Sequence, residues 1–314
     1  MQNLIRRIDE FQQKHRIWGT VFAIIKKFGD DNGSYQAALI TYYGFLSLFP
    51  LLLVLFTVMQ IVFKNNSQLQ HQVASSINEY LPVVGQELQK NIHSMRSAGV
   101  GLVVGLLVAL YGARGGADVV RNMLNDVWQV PRNRRAGFPK SLFQTLSIMA
   151  AAAVGFIAVV LVSTFSSVLG HAQWVKVAVN FAGFMVAAAA LLVVCNRATS
   201  RRVRLRDMVP GAIGAALVTQ ALVTFGGILV RHQLRGVSSF YGIFAVVLGL
   251  IFWLYLIAQV LVYATEFDSV RHLKLRPRAI QMDKPTEADL RAYGLYQNVQ
   301  NFKPLARKDH RFRH

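Results

Sequence analysis

The chain is poor in most of what enzymes use. It has a single cysteine, Cys195, so it has no intrachain disulfide. Its eight histidines are scattered, with no HxH, HExxH or Cys/His spacing that would build a metal site. His310 and His314 stand four apart, but on a basic tail with no further ligand beside them. There is no GxSxG elbow and no GxxxxGKS/T loop, which removes the usual lipase chemistry and ATP-driven pumping. No catalytic, cofactor-binding or metal-binding set is read, and the chain is expected not to be an enzyme. The first thirty residues are too polar for the apolar region of a cleavable signal, so the first span is expected to act as its own insertion signal.

Charge is missing in long runs as well. Nothing between Asp31 and Lys64 is Asp, Glu, Lys or Arg, and comparable runs recur about six times. A helix apolar around its whole circumference for that length belongs in hydrocarbon. The spans are read as Tyr35–Phe63, Ala98–Tyr111, Ser141–Leu169, Val175–Cys195, Met208–Val230 and Phe240–Tyr263. The fold class is therefore all-α, a polytopic membrane protein with about six transmembrane helices plus amphipathic interfacial helices.

What is abundant is positive charge. Lys and Arg number 34 against 15 acidic residues, giving a formal net charge of +19 beside a mean hydropathy of +0.37. A soluble nucleic-acid binder this basic would not also be this apolar. With six spans, the two termini and the connections around 112–140 and 196–207 hold 28 of the 34 basic residues. That excess marks the cytoplasmic side and places both termini there. The same topology accounts for the basic loops, so no specific nucleic-acid partner is expected. The expected partners are membrane lipids, through anionic headgroups at the cytoplasmic face, with room for a homo-oligomeric or envelope partner.

Three regions follow. Residues 1–30 read as an amphipathic cytoplasmic or interfacial helix, with Leu4, Ile8, Phe11, Trp18, Phe22 and Ile25 on one face. Residues 31–268 form the six-helix domain, including an outer-side helical loop at 64–97 broken by Pro82. Residues 269–314 read as a basic, partly disordered tail. The glycine-rich second span is expected to run on as one helix to about Trp128, where Pro131 stops it.

Polar side chains within spans are costly and need a reason. Gln36, Tyr43 and Ser47 (first span), Gln220 and Thr224 (fifth), and Tyr241, Tyr255 and Gln259 (sixth) are candidate linings of an interior path. The plainer alternative is that they bond across helix interfaces. Arg114, Asp118, Arg121, Glu266 and Asp268 are expected to form one charge cluster at the cytoplasmic side.

The first span, AALITYYGFLSLFPLLLVL, resembles the opening of the YihY/BrkB family of bacterial inner-membrane proteins. Three later segments agree: the long second helix ending RNMLNDVWQVPR, the RVRLRDMVPGAIGAA approach to the fifth span, and SSFYGIFAVVLGLIFWLYLIAQVLVYATEFD. Ala264 and Thr265 stand where the family usually has Gly-Ala, and Glu266 keeps the acid. The resemblance implies six transmembrane helices and an inner-membrane location. It also brings an old ribonuclease BN label, which the missing metal motif speaks against. From the polar faces within the spans, the basic cytoplasmic surface and the amphipathic helices on both sides of the membrane, the expected function is a non-enzymatic transporter or flippase-like protein for an amphipathic envelope molecule such as a lipid. The alternatives are an envelope scaffold or assembly factor without a path and, distantly, a membrane-associated nuclease.

Overall fold

A computed structural model describes residues 2–62, 99–169, 173–201, 203–234, 242–280 and 285–299. Those residues form nine α-helices, a short 3-10 turn at Arg132–Arg134 and no strand. The helices are α1 (Gln2–Lys14), α2 (Arg16–Asp30), α3 (Gly33–Val62), α4 (Gly99–Val127), α5 (Lys140–Leu169), α6 (Gln173–Ala198), α7 (Leu205–Leu234), α8 (Gly242–His272) and α9 (Glu287–Val299). The outer-side loop 64–97 and Tyr241 lie outside the described residues.

Among the described residues, four helices contain segments long and apolar enough to cross a bilayer: Lys140–Val162, Val177–Ala198, Leu205–Phe225 and Val247–His272. α3 and α4 have 30 and 29 residues. Apolar side chains such as Leu107, Val154, Phe181, Leu217 and Phe225 are exposed, as surfaces that face lipid must be. The described residues are those of an all-helical membrane protein.

Each long helix packs on the next in sequence, from α3 through α8, and α8 returns to α3. The six thus close a ring. α4 also touches α6 and α8, and the reason lies at its C-terminal end. Met123, Leu124, Val127 and Trp128 there are at most 1% exposed, so α4 plugs one end of the ring. The α3–α4 seam is close because glycines face it. A Cβ on Gly112 would sit 2.9 Å from the Ser47 Cβ, and one on Gly115 would collide with the Tyr43 ring.

The long helix through the second span ends at Val127, beside the Trp128 end expected from Pro131. The N-terminal segment differs from the single helix expected, being broken at His15 into α1 and α2. Gly19, Ala23, Lys27 and Phe28 of α2 turn into the protein. The apolar residues Phe11, Ile17, Trp18, Val21 and Ile25 are left exposed. The boundary read at 269 also shifts. α8 continues to His272, and the following segment is packed, with Leu275 and Arg278 fully buried. Hydrogen bonds rather than large aliphatics hold it, so composition alone made it look loose.

Candidate functional site

The last carbonyls of a helix have no partner within it, and the helix dipole makes that end negative. The buried end of α4 solves this with side chains from its neighbours. Lys27 Nζ and Ser269 Oγ donate to the Val127 carbonyl at 2.9 and 2.8 Å, and Arg201 donates to that of Trp128 at 3.3 Å. Asn125 reaches across to the end of α6, accepting from the Ser200 N–H at 2.8 Å. α2, α8 and the connection after α6 therefore converge on one helix terminus.

Lys27 is the centre of this cluster. It is 0% exposed, and its ammonium also meets Asp31 Oδ2 at 2.5 Å and Glu266 Oε2 at 2.8 Å. With Val127 O, all three of its N–H donors are used. Asp31 lies one turn after Lys27, just beyond the end of α2, while Glu266 belongs to α8, so the lysine bolts α2 to the ring. Phe28 reinforces the joint by stacking on Tyr263, with ring centroids 4.1 Å apart.

The α4 terminus adds a strained residue to the same cluster. Gln129 has φ +53°, in the left-handed region that favours glycine. Its N–H returns to the Asp126 carbonyl, and the Val130 N–H to that of Asn125, closing the helix. A glycine would fit this backbone with less strain, but the Gln129 amide donates to Asp31 at 3.0 Å. The side chain explains the residue. Next to it, Asp126 accepts from Arg135 at 2.6 Å and from Gln36 at 3.3 Å.

The five charges expected as one cluster separate into three places. Asp118 takes Arg121 at 3.1 Å and the Thr145 hydroxyl at 2.6 Å, in the α4–α5 seam. Arg114 is exposed and only 4.0 Å from Asp118, a surface pair of little weight. Glu266 belongs to Lys27. Asp268 instead faces α7, accepting the Gly211 N–H at 2.8 Å beside Pro210, and a Cβ at 211 would collide with its carboxylate. Residues two apart on a helix point about 200° away from one another, which is why Glu266 and Asp268 divide between two neighbours.

The candidate path residues are also spread out. Tyr43 and Ser47 lie against Gly115 and Gly112 in the α3–α4 seam. Gln36 joins Asp126 at the closed end, and Tyr255 packs on the buried core. Gln259 is half-buried in α8. Gln220 and Thr224 are exposed on α7, to one side of the face where Ala212, Ala215 and Ala216 are buried.

Comparison with known proteins adds to this geometry. The profile described as virulence factor BrkB matches residues 24–288. The chain belongs to that family. Among its relatives is the inner membrane protein YhjD of Escherichia coli (strain K12), 27% identical over 51% of this chain and 49% of YhjD. A ribonuclease-like protein of Bacillus subtilis (strain 168), YfkH, is 24% identical over 76% of this chain and 90% of YfkH. The match to YhjD thus spans about half of that relative's length. No solved structure matches the chain.

In this BrkB-family chain the matched region begins at residue 24, and so includes Lys27 and both of its carboxylate partners. Sequence reasoning had Glu266 but missed Lys27, Asp31 and Gln129. The one available signal was the Lys27/Asp31 spacing of four.

A second knot ties the C-terminal segment to the N-terminal helices. Asp289 accepts from Arg278 Nε, Lys26 Nζ, the Ala279 N–H and the Thr286 N–H, and Arg278 also holds Asp30 at 3.0 Å. Burial opposes ionisation of Asp289, yet these donors hold its carboxyl well below the usual carboxylate range. Because that value is depressed on folding, its contribution is full above the unfolded-state value and is lost only as pH falls through the lower, folded one. Asp289→Asn is therefore expected to free α9 at neutral pH. Limited proteolysis after Arg291 should then be faster than in the wild type, whereas mild acid alone should not accelerate it.

Proposed function

We propose that the chain is a six-span inner-membrane protein with both termini cytoplasmic, which moves or exposes an amphipathic envelope molecule such as a lipid and performs no chemistry on it. The observation that carries this reading is the ring of six helices, closed at one end by buried ion pairs and hydrogen bonds around the α4 terminus. The plug itself is apolar, Met123, Leu124, Val127 and Trp128, but buried polar groups fasten it to its neighbours, and those can exchange partners with water, which suits an end that opens. The excess of basic residues on that side supports its cytoplasmic placement. The exposed Phe11, Ile17, Trp18, Val21 and Ile25 suit the headgroup boundary, and Arg6, Arg7, Lys14 and Arg16 beside them suit anionic lipid. YhjD, whose name places it in the inner membrane, supports the location.

A scaffold without a path is the second reading, favoured by the interlocked Tyr43–Gly115 and Ser47–Gly112 contacts. The nuclease reading that YfkH's name carries has less support. Among the described residues no three His, Cys, Asp or Glu side chains gather as metal ligands would.

The test is movement of headgroup-labelled fluorescent lipid in vesicles holding the purified protein. An impermeant reductant should bleach the inner-leaflet dye faster than in protein-free vesicles. No acceleration across several headgroup types overturns transport and leaves the scaffold.

A further inference from the structure

The Lys27 cluster does not balance. One ammonium, fully buried, faces two carboxylates, Asp31 with a 6% exposed side chain and Glu266 with 0%. With every group ionised the cluster carries one uncompensated negative charge away from water, which is expensive.

The surrounding charges are already engaged. Asp126 is neutralised by Arg135, Asp30 by Arg278, and Asp289 by Arg278 and Lys26. On α8, Asp268 bonds the Gly211 N–H, Arg271 reaches the Asp207 carbonyl and His272 pairs with the Asp207 carboxylate. Arg201 caps Trp128, and Gln129 gives Asp31 an uncharged donor. None of these supplies the missing positive charge.

Hydrogen bonding poses the same problem. Glu266 Oε1 is buried and finds no donor among the described residues. The Asp31 and Glu266 carboxyl groups meanwhile meet the same Lys27 Nζ, at 2.5 and 2.8 Å, which brings them side by side. Two carboxylates cannot bond to each other, but a carboxyl and a carboxylate can. One proton would balance the charge and supply the donor together.

We propose that Lys27, Asp31 and Glu266 form a proton-binding site, in which the two carboxyl groups hold one exchangeable proton between them at neutral pH. The proton comes from water and returns to it, with no other bond made or broken. It belongs to the pair rather than to either residue. Burial, working against the nearby Lys27 charge, raises Asp31 above the usual carboxylate range, in keeping with such a site. Because folding raises the proton affinity of Asp31, the cluster's contribution is complete in acid and is lost as pH rises through the shared proton's release. The attachment of α2 to the ring therefore weakens toward alkaline pH. The site stands whether or not anything is transported.

Infrared spectroscopy of the purified protein tests this. The wild type should show the carbonyl stretch of a protonated carboxyl at neutral pH, shifted in D2O and lost at alkaline pH. That signal should be absent from both Glu266→Gln and Asp31→Asn, each of which leaves a one-to-one pair with Lys27 and so should fold. A wild type without the signal overturns the proposal. So does a signal that survives in both variants, or one that neither exchanges in D2O nor titrates.

Discussion

Lys27→Met is expected to destabilise the protein by about 3–5 kcal/mol, the usual cost of removing one partner from a buried ion cluster. Lys27 is wholly buried, and it is the only charged donor that both Asp31 and Glu266 receive among the described residues. Without it two carboxyl groups and the Val127 carbonyl lose their cation together. Methionine keeps the length and apolar stem of lysine, so any loss reports charge rather than volume. The measurement is thermal unfolding in detergent, read by the reaction of a thiol dye with Cys195. That residue is the lone cysteine and is buried until the bundle opens. Adding Glu266→Gln to Lys27→Met should recover part of the loss. If Lys27→Met melts with the wild type, the cluster does not hold α2 to the ring.

The second large effect is a contrast between neighbours. Gly115→Ala should destabilise the protein by about 1–3 kcal/mol, because its Cβ drives into the Tyr43 ring and the seam must open. Gly116→Ala should do the opposite. A Cβ there meets only the Tyr43 Cβ at 3.6 Å, an ordinary contact, and alanine gains up to about 1 kcal/mol of helix propensity over glycine. The same dye assay compares them. Equal melting of the two variants would mean that the seam is not closely packed. If Tyr43→Ala restores Gly115→Ala, the collision itself is identified as the cause.

The parts legible in the sequence were those set by long stretches of one character. Charge-free runs gave the long helices, and Pro131 marked where α4 would stop because it cannot donate within a helix. The site depended on single residues instead. Lys27 lies in a helix that also carries Arg16 and Lys26, where a lysine looks like one more headgroup contact. Its burial follows from Glu266, a partner 239 residues away that no local pattern can pair with it. Glu266 and Asp268 looked like one cluster because they are close in sequence, yet the helix sends them to different neighbours. Gln129 was unreadable for another reason: glycine is the usual sign of a left-handed helix end, and here that sign is replaced by a side chain with a bond to make.

The separation between Lys27 and Glu266 has a consequence for how the chain is made. At about 5–20 residues per second, Glu266 is synthesised roughly ten to fifty seconds after Lys27. Arg278 and Asp289, which fasten the same helices, come later still. During that interval α2 has none of its charged partners from α8 or beyond. A lysine is well suited to the wait, since its long stem lets the ammonium stay hydrated at the membrane surface while the spans insert one after another. The end of the ring closes only once the last long helix has arrived, and a chain interrupted before α8 keeps that end open.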